Sequence, residues 1–161
     1  MSPIFFGLCL APGLLEALNR EKIHTPTPIQ ERAIPLALQG SDVVGIAQTG
    51  TGKTLAFGLP MIQRLAQNKG QGLVLLPTRE LAIQVEDNLR RIGRLIGLRT
   101  VVLIGGAPMN PQISGLRAKP HVIIATPGRL VDHLERRTAD LSRVSVLVLD
   151  EADRMLDMGF A

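Results

Sequence analysis

Aromatic side chains are nearly missing from this sequence: its 161 residues include four Phe and neither Trp nor Tyr. The hydrophobic core must then be aliphatic, made of Leu, Ile, Val and Ala. The same scarcity argues against a nucleic-acid surface that stacks bases on rings, so any such grip has to rest on backbone phosphates. Cysteine is represented only by Cys9, which excludes an intrachain disulfide and fits a reducing, cytosolic setting. No apolar stretch is long enough to cross a bilayer. The start, Pro3-Ile-Phe-Phe-Gly-Leu-Cys-Leu-Ala-Pro12, has the look of a signal-peptide core. No Lys- or Arg-rich segment precedes it, however, and Pro12 and Gly13 interrupt it. A soluble, cytoplasmic protein with no membrane partner is expected. Internal repeats, low-complexity tracts and interdomain linkers are missing too, which at this length points to one domain.

What is present reads as globular: hydrophobic residues make up 45% and charged residues 20%, too apolar for a disordered chain. Eighteen Lys and Arg against fourteen Asp and Glu give a net charge of +4, compatible with a polyanionic partner but no proof of one.

Short runs of Val, Ile and Leu recur at 42–47, 72–76, 99–104, 121–125 and 145–149. They show too little polar alternation for a sheet with one wet face, so each predicts a buried strand. Helical patterns lie between them, at 53–68, 79–96, 111–118 and 127–137. The second is the clearest, with Leu81, Val85, Leu89, Ile92 and Ile96 stepping by three or four. Strands alternating with helices predict an α/β fold: a parallel, doubly wound sheet with helices on both faces. Two further helices, at 13–20 and 28–39, precede the first strand and flank the stiff segment Thr25-Pro-Thr-Pro28.

The segment Gly45-Ile-Ala-Gln-Thr-Gly-Thr-Gly-Lys-Thr54 follows the first predicted strand and opens a helix. It fits the phosphate-binding loop pattern, except that Ala47 stands where Gly is usual. Gly50 and Gly52 let the backbone turn its N–H groups inward, so that Gln48, Thr49, Gly50, Thr51, Gly52, Lys53 and Thr54 cradle phosphate oxygens. The helix that follows adds the positive end of its dipole. Lys53 neutralises the β- and γ-phosphates and the Thr54 hydroxyl ligates Mg²⁺ in this reading. A Gly-rich connecting turn would account for the glycines but not for Lys-Thr at the mouth of the helix.

Asp150-Glu-Ala-Asp153 directly follows an apolar run, which puts carboxylates at the ligand-binding edge of a parallel sheet. Asp150 is then a metal-holding group and Glu151 the group that polarises the attacking water. Taken alone, the same residues read equally well as an acidic helix start.

With both motifs in place, the chain resembles the DEAD-box ATP-dependent RNA helicases along essentially its whole length. Asp150–Asp153 spells the motif that names that family, and Ala47–Thr54 is similar to its first motif. Thr25-Pro-Thr-Pro-Ile-Gln30 resembles the adenine-reading Q motif. Pro77-Thr-Arg-Glu-Leu81, Gly105-Gly106 and Thr126-Pro-Gly-Arg129 resemble its RNA-contacting elements, and Arg154-Met-Leu-Asp-Met-Gly-Phe160 the stretch after the acidic motif.

The resemblance implies a P-loop, RecA-like amino-terminal domain that uses ATP and Mg²⁺. Residues 1–40 would form the adenine-reading region and residues 41–161 the core from P-loop to acidic motif. Thr25 and Gln30 would recognise adenine, the Gln30 amide pairing with N7 and N6, and Phe5 would stack on the ring. Without the family, Phe5 and Phe6 read as core residues and Gln30 as a solvated helix residue. Pro77, Thr78, Arg79, Gly105, Gly106, Thr126, Pro127, Gly128 and Arg129 would take the RNA backbone without reading bases. Asp153 would couple this domain to a second RecA-like domain, whose arginine fingers and preceding Ser-Ala-Thr motif are not in these 161 residues. A non-enzymatic ATP-gated RNA clamp or scaffold is the alternative, and a DNA-directed or protein-moving motor a third reading.

The sequence departs from the family at Lys22 and Cys9, where Gly is frequent, and local adjustment is expected at both. In the family, the strand leading to Ser-Ala-Thr lies between those carrying Lys53 and Asp150. The expectation for residues 1–161 alone is a sheet with a central gap, closed by strand-exchanged self-association or by further chain.

Overall fold

The computed structural model describes residues 12–23, 26–39 and 53–157. The predicted strand at 42–47 lies outside them. The described elements are α1 (Pro12–Arg20), α2 (Pro28–Leu38), α3 (Lys53–Asn68), β1 (Gln71–Leu75), α4 (Arg79–Gly93), β2 (Thr100–Leu103), α5 (Met109–Arg117), β3 (Val122–Ala125), α6 (Pro127–Glu135), β4 (Val144–Leu149) and α7 (Ala152–Asp157), with a 3₁₀ turn at Arg94–Ile96 after α4. No helix among the described residues is long and apolar enough to cross a membrane. The chain forms two compact units: Met1–Lys69 with Asn88–Gly97, and Gly70–Asp87 with Leu98–Ala161.

In the first unit, α2 packs on α3 and α1 on the 3₁₀ turn. The buried faces are aliphatic, as the composition requires: Leu14, Ala17 and Leu18 on α1, Ala33 and Ile34 on α2, Leu59, Met61, Ile62 and Leu65 on α3. Helix α1 ends in a left-handed cap. The N–H of Lys22 bonds Asn19 O at 3.0 Å and that of Ile23 bonds Leu18 O at 2.9 Å, the two bonds of a Schellman motif. Lys22 occupies the left-handed position with φ 60, where glycine is favoured. The backbone thus keeps the glycine conformation with a lysine in it.

In the second unit the sheet order is β2-β3-β1-β4, and every pairing is parallel. All of β3 and the first four residues of β1 are buried, as in strands covered on both faces. Leu73, Val101, Leu103, Ile123 and Ala125 share one face and form a core with Leu130 of α6, joined by Leu116 of α5 and Leu141. Register sets Leu75 opposite both Ala125 and Leu149, and Leu103 opposite Ala125. The carboxyl ends of all four strands therefore form one row.

Two expectations are corrected. Strand β4 is not buried on both faces: Ser145, Leu147 and Leu149 are exposed, the two leucines by 57% and 54%. Among the described residues β4 pairs only with β1 and is an edge strand. The long α4 pattern does not run as one α-helix to Ile96. The last three residues tighten to 3₁₀, Gly97 turns the chain at φ 74, and Ile96 is 39% exposed.

Candidate nucleotide and nucleic-acid site

Because the strands end in one row, the segments after them leave from one edge of the sheet. That edge carries Pro77, Thr78 and Arg79 after β1, Gly105 and Gly106 after β2, Thr126 to Arg129 after β3, and Asp150 to Asp153 after β4. Each segment has its own local cause. The Thr78 hydroxyl accepts the Leu81 N–H at 3.3 Å and caps α4. Thr126 is the extended N-cap of α6 with Pro127 at the first helical position, where proline costs no hydrogen bond. Gly106 turns with φ 78, a conformation that favours glycine.

Two arginines tie these segments together. Arg79 Nη1 donates to Gly105 O at 3.3 Å, joining the β1 and β2 segments. Arg129 Nη1 donates to Ala107 O at 3.2 Å and approaches Gln112 Oε1 at 3.5 Å, joining the β2 and β3 segments. Asp132 lies between Arg129 and Arg136, at 4.0 and 2.9 Å. The Arg136 hydrogen bond holds its carboxyl below the usual carboxylate range, and Arg129 adds to this.

Beneath Arg129 lies a buried polar group that no sequence spacing singles out. His133 is fully buried and Gln112 is 5% exposed. His133 Nε2 lies 2.8 Å from Gln112 Oε1, and its Nδ1 lies 2.8 Å from Thr138 Oγ1. Gln112 Nε2 donates to Ile104 O at 2.9 Å. Burial, with Arg129 next, pushes His133 below the ordinary imidazole value. His121, at the opposite edge, is lowered by burial and then by Arg99.

In the acidic motif, Asp150 is 8% exposed, and its N–H bonds Leu75 O at 3.0 Å, which holds it beside β1. Glu151 has a φ of 58, rare outside glycine and of the kind that accumulates at functional sites. Its carbonyl accepts the Met155 N–H at 3.1 Å and starts α7. Asp153 is exposed in the first turn of that helix.

The remaining predicted residues belong to the other unit or lie outside the described residues. Lys53 and Thr54 open α3 and are half-buried. Gln30 is 2% exposed, so it is not a solvated helix residue. Its side-chain oxygen accepts the Thr27 N–H at 2.9 Å while its own N–H bonds Thr27 Oγ1 at 3.4 Å, a capping box. Phe5, Phe6, Cys9, Thr25, Gln48, Thr49, Gly50, Thr51, Gly52 and Phe160 lie outside the described residues.

Comparison with known proteins agrees with this arrangement. A family model for the DEAD/DEAH box helicases matches residues 27–161. The chain is 51% identical over 159 residues to the ATP-dependent rRNA helicase RRP3 of Debaryomyces hansenii, covering 97% of this chain and 33% of that protein. It is 49% identical over 158 residues to the DEAD-box ATP-dependent RNA helicase CshA of Bacillus cereus, covering 97% and 30%. Among solved structures, the RNA helicase Prp28 from Chaetomium thermophilum bound to ADP matches with a TM-score of 0.87 at 44% identity, over 95% of this chain and 39% of that one. The chain spans about a third of the length of the curated relatives it matches. With a parallel α/β sheet, an acidic motif at its carboxyl edge and a family match from residue 27 to residue 161, the chain belongs to the DEAD/DEAH box helicase family.

Proposed function

We propose that this chain is the ATP-binding, amino-terminal RecA-like domain of an ATP-dependent RNA helicase that remodels short RNA duplexes. The observation that carries the reading is the single sheet edge from which the Arg79, Gly105–Gly106, Arg129 and Asp150–Glu151 segments all depart. An edge built from arginines, glycine turns and helix starts suits sugar–phosphate contacts that read no bases. The ATP-dependent names of the relatives and the ADP bound to Prp28 support the nucleotide half.

In this reading Gln30, Thr25 and Phe5 recognise adenine, and residues Gln48–Thr54 take the phosphates at the positive end of α3. The Thr54 hydroxyl and the Asp150 carboxylate are hard oxygen donors of the kind Mg²⁺ prefers, and these two residues would hold it. When bound, the metal neutralises charge on the transferred phosphoryl group. Glu151 polarises the attacking water, and Lys53 compensates charge on the β- and γ-phosphates. Asp153 faces the coupling role toward a second RecA-like domain. Without that domain's arginine fingers, hydrolysis would be slower by roughly 10³–10⁵, so these residues alone bind nucleotide and turn it over poorly.

The test is anisotropy of a labelled single-stranded RNA with a non-hydrolysable ATP analogue present. Arg129→Ala is expected to weaken RNA roughly tenfold for all RNA sequences alike and to lower the salt slope by about 1, leaving nucleotide affinity intact. Unchanged RNA affinity in both Arg129→Ala and Arg79→Ala would remove the RNA assignment.

A further inference from the structure

A buried imidazole and a buried amide are costly unless each polar atom has a partner, and the partners of His133 and Gln112 run in one direction. Gln112 Nε2 donates to Ile104 O, which turns Gln112 Oε1 toward His133 and Arg129. The flipped amide would set oxygen against the Ile104 carbonyl and nitrogen against the Arg129 guanidinium, two repulsive contacts. Gln112 Oε1 can only accept, so His133 Nε2 carries the hydrogen. The neutral ring then presents Nδ1 as acceptor to the Thr138 hydroxyl.

Thr138 is delivered there by the end of α6. The Arg137 N–H bonds Leu134 O at 3.1 Å and the Thr138 N–H bonds His133 O at 2.9 Å, a second Schellman motif, with Arg137 left-handed at φ 57. The Thr138 hydroxyl also donates toward His133 O at 3.1 Å, so its one proton is shared between that carbonyl and Nδ1. The relay therefore starts at the closing turn of α6 and ends at the carbonyls of Ile104 and, through Arg129, Ala107. Those two carbonyls bracket the Gly105–Gly106 turn. A side chain at Gly105 would meet nothing within 4 Å, whereas one at Gly106 would strike the Arg79 guanidinium, so Arg79 holds the turn itself and the relay holds its two flanking carbonyls.

We propose that His133 and Gln112 are positioning residues for RNA binding: their buried relay sets the Arg129 guanidinium and both ends of the Gly105–Gly106 turn in the geometry that takes the RNA backbone. The inference rests on the RNA reading of Arg129 and the glycine turn given above. Neither residue touches RNA in it. His133 acts through Gln112, and Gln112 through Arg129 and Ile104.

The experiment measures RNA and nucleotide affinity of the full chain for His133→Asn, His133→Gln, Arg129→Ala and the double variant His133→Asn with Arg129→Ala. Glutamine places an N–H near the position of imidazole Nε2, whereas asparagine is too short to reach Gln112. The expected result is RNA binding weaker by roughly three- to tenfold in His133→Asn, within about twofold of the parent in His133→Gln, and unchanged nucleotide affinity in both. In the Arg129→Ala background His133→Asn should cost clearly less than in the parent, because only the route through Gln112 and Ile104 remains. Parent-like RNA affinity in His133→Asn, or an equal loss in both backgrounds, would overturn the proposal and leave the RNA reading standing. Parent-like affinity in Arg129→Ala itself would overturn the RNA role of Arg129 and the relay with it. Should His133→Asn not fold, Thr138→Val removes the donor at Nδ1 from a half-buried site and is expected to weaken RNA in the same direction, and no loss there would count against the relay.

Discussion

Gln30 and Gln112 are two glutamines of nearly equal burial, at 2% and 5% exposure, and their amides are held in opposite ways. Gln30 bonds backward three residues to Thr27 and closes the first turn of α2. Gln112 bonds across the second unit, to a strand end eight residues before it and to a histidine twenty-one residues after it. The first amide completes a helix start that is formed locally. The second joins segments that meet only when the sheet has assembled, so its loss is felt by every group it joins.

The sharpest way to break the comparison is to remove each amide. Gln112→Leu leaves the His133 ring N–H and the Ile104 carbonyl buried without their partner, and is expected to cost about 2–4 kcal/mol in urea unfolding. Gln30→Ala removes half of a capping box and is expected to cost about 1 kcal/mol. Equal costs would mean that the long-range amide is no more than a second cap.

A smaller effect comes from pH. His133 lies below the ordinary imidazole value of 6.5 in the folded chain, so the unfolded chain takes up the proton more readily. The stability contributed by the neutral ring is complete above about pH 6.5 and is lost as pH falls below it. Thermal melts between pH 7 and pH 5 should show this decline. His133→Gln should make it shallower without abolishing it, since His121 is shifted in the same direction. An unchanged slope would place the titration elsewhere.

The smallest effect is expected at the helix ends. Lys22→Gly relieves a left-handed residue and is expected to stabilise by roughly 0.5–1 kcal/mol, read as a rise in denaturation midpoint. Arg137→Gly tests the equivalent turn beside His133. A gain at Lys22 with none at Arg137 would show that the second turn is held by the relay as well as by its own backbone.

Much of the fold was legible because it follows from local pattern. Helix α3 spans Lys53–Asn68, as the sequence pattern predicts, despite Pro60. The four described strands start and end within two residues of the apolar runs that predict them. The exposure of β4 was not legible, because Val-Ser-Val-Leu-Val-Leu reads the same whether one face or both are covered. Asp150 and Glu151 could be read from their place after an apolar run, and the other carboxyl-edge residues through the resemblance of their motifs. Nothing local marks Gln112 or His133. One amide and one imidazole twenty-one residues apart have no period and no spacing rule, and only the packing of α5 against β2 and the closing turn of α6 brings them together.

The alignment of Leu75, Leu103, Ala125 and Leu149 in one row also divides the molecule by its tolerance of added length. One residue inserted within β3 would reverse the facing of every side chain that follows in that strand and carry Thr126–Arg129 out of line with Arg79 and Gly105. The opposite edge obeys no such ruler. Its connections run through exposed residues, among them Lys119 and Ser142, where extra residues bulge into solvent. A reporter loop or affinity handle therefore belongs on that side, where it can lengthen the chain without disturbing the row.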